Sequence, residues 1–179
     1  MTISSPPADL WEALAGGASA ESRLWGELLR APDERGAERV FSPLAESALA
    51  LGLETIYEGY LVHYGRSRLF AADDETTVLL LGDYLYAHGL VRVAEVASAA
   101  GVADLAELIS LCAQLRAEQR DGDGAAWAGT TAALGSGRLA APREALAAGN
   151  PELLLELARS ESGDDAVAAA LAAHARHVG

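Results

Sequence analysis

Apolar residues recur at three- and four-residue spacing from one end of this chain to the other, while the period-two alternation of a half-buried strand is scarce. That property restricts the chain to an all-α fold, a helical bundle. Leu10, Trp11 and Leu14 fit a short first helix that stops at Gly16-Gly17. Residues 21–30 fit a second helix, with Leu24, Trp25, Leu28 and Leu29 on one face and Pro32 preventing continuation. Ser42-Pro43 reads as the N-cap and first residue of a longer helix, running through Leu44, Leu49, Leu53, Ile56, Tyr57 and Tyr60 until Gly65 breaks it. Asp73-Asp74-Glu75 places acids where the positive end of the next helix dipole favours them. That helix, expected to end at Gly101, carries a Gly82-Asp83 pair in its middle and reads as buried. Leu105, Leu108, Cys112 and Leu115 lie on one stripe of a further helix over residues 104–120. Asp121-Gly-Asp-Gly124 is the sharpest break. Beyond it, residues 121–179 turn alanine-rich and read as more loosely specified, with short helices over 151–160 and 164–176. One domain over residues 1–179 is the expected organisation.

A hydrophobic fraction of 51% and a mean hydropathy of +0.14 suit a packed globular chain rather than a disordered one. No run approaches the ~18–20 uninterrupted apolar residues of a membrane span, because Asp83 and His88 interrupt the best candidate. The first residues lack the basic and apolar regions of a signal peptide. A lone cysteine, Cys112, offers no disulfide or metal pattern and reads as a buried, inert thiol. Together these imply a cytoplasmic protein. The net charge of −13, from 26 acids and 13 bases, repels nucleic acid. The main basic cluster, His63-Tyr64-Gly65-Arg66-Ser67-Arg68, suffices to hold one phosphate or to face an acidic helix.

Leu80-Leu-Gly-Asp-Tyr-Leu-Tyr-Ala87 resembles a signature helix of the polyprenyl (isoprenyl diphosphate) synthase family, which reads roughly Leu-Leu-Gly-Asp-(Tyr/Phe)-Leu-Leu-Ala. At the family's usual spacing upstream, its Asp-Asp-x-x-Asp motif falls on Glu54-Thr55-Ile56-Tyr57-Glu58. The Arg-Arg-Gly that follows in the family falls on His63-Tyr64-Gly65. The diphosphate-binding Gly-Gly-Lys-Arg-x-Arg-Pro is similar to Gly36-Ala37-Glu38-Arg39-Val40-Phe41-Ser42-Pro43, with one residue inserted. The resemblance covers residues 36–120 and implies part of the isoprenoid synthase fold. It also implies that Gly82 permits close helix packing and that Asp83 has a structural role.

Prenyl transfer requires an allylic diphosphate to ionise, with Mg²⁺ bridging the diphosphate and carboxylates from two aspartate-rich motifs. Here the first motif becomes Glu-Thr-x-x-Glu, leaving Glu54 and Glu58 as candidate metal ligands on one helix face. No second motif follows Gly82. Glu38 stands where a lysine is expected, so Arg39, Arg66 and Arg68 are the remaining candidates for substrate binding, or else exposed helix-end charges. No residue is assigned a catalytic role and no cofactor is expected, Mg²⁺ entering only for an active enzyme. Glu-x-x-His spacing is absent around His63, which reads as a surface or interface histidine. His88 is expected in a core or interface hydrogen bond, and His174 and His177 in solvent. The tyrosines between Tyr57 and Tyr86 read as core.

The resemblance thus implies a degenerate, shortened member of the family. Such a protein would be a small or regulatory subunit, as a homodimer or with a full-length prenyl synthase, or an isoprenoid-chain binder. Two alternatives stand beside it: an active Mg²⁺-dependent prenyl transferase, and a helical scaffold unconnected to isoprenoids.

Overall fold

The computed structural model describes residues 9–178; the reading of the first residues as lacking a signal peptide falls on residues 1–8, outside that range. The described residues form nine α-helices and no strand, apart from an isolated antiparallel bridge between Leu29 and Phe70. The helices are α1 (Leu10–Glu21), α2 (Arg23–Glu27), α3 (Ala50–Tyr64), α4 (Glu75–Ala94), α5 (Ala99–Ala117), α6 (Asp123–Ala132), α7 (Ala140–Ala147), α8 (Glu152–Ser162) and α9 (Asp164–Val178). None is long and apolar enough to cross a membrane.

The antiparallel α3–α4 pair organises everything else, and glycine sets its spacing. Gly52 and Gly59 on α3 face Gly89 and Gly82 on α4. A Cβ on Gly52 would lie 3.2 Å from the Gly89 carbonyl oxygen, and one on Gly59 would lie 3.0 Å from that of Gly82. Removing the side chains at both crossing levels brings the backbones into contact, so Ile56 and Leu85 between them are almost completely buried. Gly82 is one half of a matched contact that also uses Gly59 on α3.

Two apolar clusters flank this pair. The smaller joins α1, Trp25, Leu69 and Phe70 to Leu81 and Leu85 of α4. The larger surrounds α6, whose residues from Gly124 to Thr131 are all buried. Phe41 stacks on Trp127 with centroids 5.6 Å apart, and Tyr57 meets the Trp127 ring edge-on at 5.0 Å. The alanine-rich composition of this region therefore has a different cause from the one expected. Helix α6 is enclosed by neighbours, and a small residue such as Gly129 is required where the Leu154 backbone oxygen would lie 3.0 Å from a Cβ.

Several helix boundaries differ from the sequence reading. Helix α1 passes through Gly16-Gly17 to Glu21, where a side chain on Gly17 would strike the Arg92 guanidinium. The second helix is a single turn and a half. Ser42-Pro43 starts only a 3₁₀ turn, Ser42–Leu44, followed by another, Ser47–Leu49, before α3 begins. The cause is a tether: Glu54 Oε1 accepts hydrogen bonds from the backbone N–H groups of Val40 and Ser42, both at 3.3 Å. A segment pinned against the side of α3 cannot also extend its axis. Helix α4 ends at Ala94, because Ser98 caps a new helix through the Gly101 N–H, 3.3 Å away. Asp74 caps α4 by accepting from the Thr77 N–H at 2.9 Å, as its position at a helix start implies.

Candidate functional site

One turn of α3 separates Glu54 from Glu58, and both carboxylates point into the protein, completely buried. The loop after α3 returns along the same face and inserts Arg68 between them. Arg68 Nη1 donates to Glu54 Oε2 at 2.6 Å, and Arg68 Nε donates to Glu58 Oε2 at 2.8 Å. The remaining oxygens are also engaged. Glu54 Oε1 takes the Val40 and Ser42 amides, while Glu58 Oε1 takes the Ser67 hydroxyl at 2.5 Å and the Arg68 and Leu69 amides at 2.9 Å each. The guanidinium also lies over the Trp11 ring at 4.6 Å and the Tyr57 ring at 5.0 Å. Burial by itself would depress the Arg68 pKa; attraction to Glu58 and Glu54 outweighs it and holds it above its ordinary value.

This arrangement does not fit a bound Mg²⁺. A divalent cation needs free carboxylate oxygens in an open shell, and here each oxygen already accepts an N–H or O–H. A guanidinium has only donors and cannot ligate, so a metal would have to displace it. Among the described residues no group of three or more His, Cys, Asp or Glu is placed to hold a metal.

The other candidate residues are dispersed. Arg39 is exposed and borders a shallow cleft with Leu10, Ala13 and Leu51. Arg66 is exposed beside Arg68, but Arg68 itself is 3% exposed, in contrast to the helix-end reading. Glu38 gives its backbone oxygen to Arg68 Nη1 at 2.8 Å, while its side chain pairs with Arg176 and with His177 at 3.5 Å. Gly82 is buried against the His63 ring, whereas Asp83 faces outward with its side chain 64% exposed, 3.3 Å from His63 Nε2. The Gly-Asp pair therefore carries no buried charge. Burial lowers the His63 pKa, and the Asp83 carboxylate only partly opposes this.

The sequence reading missed a second polar centre on the adjoining face of α3, which Tyr57 shares with the first. Tyr57 Oη and His174 Nδ1 are 2.9 Å apart, and His174 Nε2 lies 3.4 Å from Asp123 Oδ2. Asp123 also accepts from the Tyr60 hydroxyl and from Arg116, and Arg116 donates to Tyr60 Oη at 2.7 and 3.0 Å. His174 is thus buried, not solvent-exposed, and His177 is mostly covered. Burial would raise the Asp123 pKa, but the neighbouring His174 ring, the hydrogen bond from Tyr60 and the nearby Arg116 charge hold it well below the usual carboxylate range. Burial raises the Tyr57 and Tyr60 hydroxyls, the Asp123 charge adding to the effect. Nothing in the spacing of these residues announces their meeting, since they come from α3, α5, α6 and α9.

Cys112 is buried, and burial raises its thiol pKa, which suits an unreactive core residue. Comparison with family models, curated proteins and solved structures finds no match.

Proposed function

We propose that this chain acts without catalysis, as a helical subunit on a scaffold of the prenyl synthase type. The observation that carries the reading is the Glu54–Arg68–Glu58 centre. Prenyl transfer needs carboxylates that face a diphosphate through Mg²⁺. In this chain the two carboxylates at the resembling positions face inward, and an internal guanidinium takes the place of an external cation. The positions then serve to bind the loop after α3 and the segment around Val40 to the helix. The Gly-to-Gly contact of α3 with α4 leaves no gap between those helices for a prenyl chain, which favours the subunit role over a chain-binding one.

The test is direct. The purified chain is incubated with allylic and homoallylic diphosphates and Mg²⁺, alone and with a full-length prenyl synthase co-expressed from the same source. No product is expected from the chain alone. Co-elution at fixed stoichiometry and a change in product length or rate are expected from the mixture. Prenyl product made by the chain alone and abolished by Glu58→Gln would overturn the proposal, as would a synthase that neither binds the chain nor responds to it.

A further inference from the structure

This chain has no lysine, and acids outnumber its arginines 26 to 13. In such a chain an arginine readily finds a carboxylate, and most do. Among the described residues, Arg30, Arg39, Arg66 and Arg92 are the ones with no carboxylate within ion-pair distance; Arg92 instead donates to Thr55 Oγ1 at 2.9 Å. Two of the four are brought to one place. The Arg30 amide donates to the Leu69 carbonyl at 2.8 Å, beside the Leu29–Phe70 bridge, and this pins Arg30 to the loop after α3. The Arg66 amide donates to the His177 carbonyl at 2.8 Å, which ties the same loop to α9. Arg30 and Arg66 consequently line one cleft of about 290 Å³, and both also border a second of about 380 Å³.

We propose that the cleft between Arg30 and Arg66 binds a phosphate monoester, the phosphate held by the two guanidinium groups. Asp73 is the acid that borders the smaller cleft, so its charged residues sum to a positive value in a strongly acidic protein. In the larger cleft Glu38 is already engaged by Arg176 and His177, and Glu34 remains on its wall. That makes the smaller cleft the better anion site. Paired guanidinium forks match phosphate oxygens in geometry and charge. Val62, Phe70 and Val78 supply an apolar wall beside the arginines, which suits an ester substituent better than a bare ion. The site stands apart from the Glu54–Arg68–Glu58 centre and from the subunit reading: a chain that binds no synthase would still bind phosphate here.

Isothermal titration of the full chain at low ionic strength, with inorganic phosphate and with butyl phosphate, tests the proposal. Saturable one-to-one binding is expected for both, tighter for butyl phosphate. Arg30→Gln and Arg66→Gln should each weaken it by about tenfold or more, the usual scale of one charge-assisted hydrogen bond. Arg39→Gln, an unpaired arginine elsewhere, should leave it unchanged. Circular dichroism melting confirms that each variant is folded; should either glutamine variant fail to fold, the corresponding lysine variant replaces it, with binding expected to weaken but persist. The proposal falls if no saturable binding occurs, if chloride at matched ionic strength competes equally, or if Arg39→Gln weakens binding as much as Arg66→Gln. Equal affinity for the two ligands would remove the ester and its apolar wall from the assignment.

Discussion

Helix α3 carries two polar centres on adjoining faces, with Tyr57 between them, and the two are built on opposite principles. Glu54, Glu58 and Arg68 lie within one short stretch of chain, and every carboxylate oxygen has a donor. The Asp123 centre draws Tyr57 and Tyr60 together with residues from three distant helices, and His174 Nε2 has no hydrogen bond of good geometry. The first fixes a loop to its own helix; the second fixes the second half of the chain to the first. A buried ion pair gives little net stability but is costly to break from one side, because the abandoned charges stay buried. The local centre is therefore the more sensitive to single substitutions. The distant centre responds to pH through Asp123.

Arg68→Met should have the largest effect. It leaves two carboxylates buried without their cation, and a loss of about 3–5 kcal/mol is expected in urea denaturation. Adding Glu54→Gln and Glu58→Gln to the same chain should recover part of that loss. If Arg68→Met costs no more than an exposed arginine substitution, the closed centre does not have the role assigned to it.

Asp123→Asn comes next, at about 1.5–3 kcal/mol near neutral pH, the range for a hydrogen-bonded charged group. The folded Asp123 pKa is depressed below its ordinary 3.8, so its contribution is complete above that value and is lost as pH falls through the folded one. The wild-type chain should lose stability steeply on the acid side, and the asparagine variant less steeply. His63 acts in the same direction: its lowered folded pKa means that stability declines as pH falls below the ordinary 6.5. Parallel acid limbs in the wild type and Asp123→Asn would separate this carboxylate from acid unfolding.

The glycines sharpen the comparison further. Gly89→Ala should destabilise by about 1–3 kcal/mol, as overpacking does, because its Cβ would lie 2.9 Å from the Ile56 backbone nitrogen. Gly16→Ala should instead stabilise by about 0.5–1 kcal/mol, since the site is helical, exposed and has no atom within 4 Å of the added carbon. A thermal melt of Gly89→Ala that stays level or rises, as that of Gly16→Ala should, would refute the assignment of Gly89 to the helix contact.

Much of the all-α architecture was legible in the sequence, because apolar period and helix-start acids such as Asp74 act locally. The i, i+4 relation of Glu54 and Glu58 was legible for the same reason. Their partner was not, because spacing along a helix does not reveal which way the next loop folds. Ser42-Pro43 has the signature of a helix start, yet the tether of Val40 and Ser42 to Glu54 prevents one. In α6, the looseness expected toward the end of the chain was a misreading of small side chains. Alanine and glycine lower the hydrophobic signal of α6 at the same positions where neighbouring helices leave no room for anything larger.

For this protein the sequence alone determined the helical class, the acidic surface and the candidate charges, since each depends on residue identity or on neighbours a turn away. Only the tertiary structure decided what the charges do. It paired Arg68 with two glutamates, brought Asp123 to His174, and left Arg30 and Arg66 uncompensated beside one cleft. The physical reason is that burial and long-range contact set the cost of each charge, and neither is written in the spacing of residues along the chain.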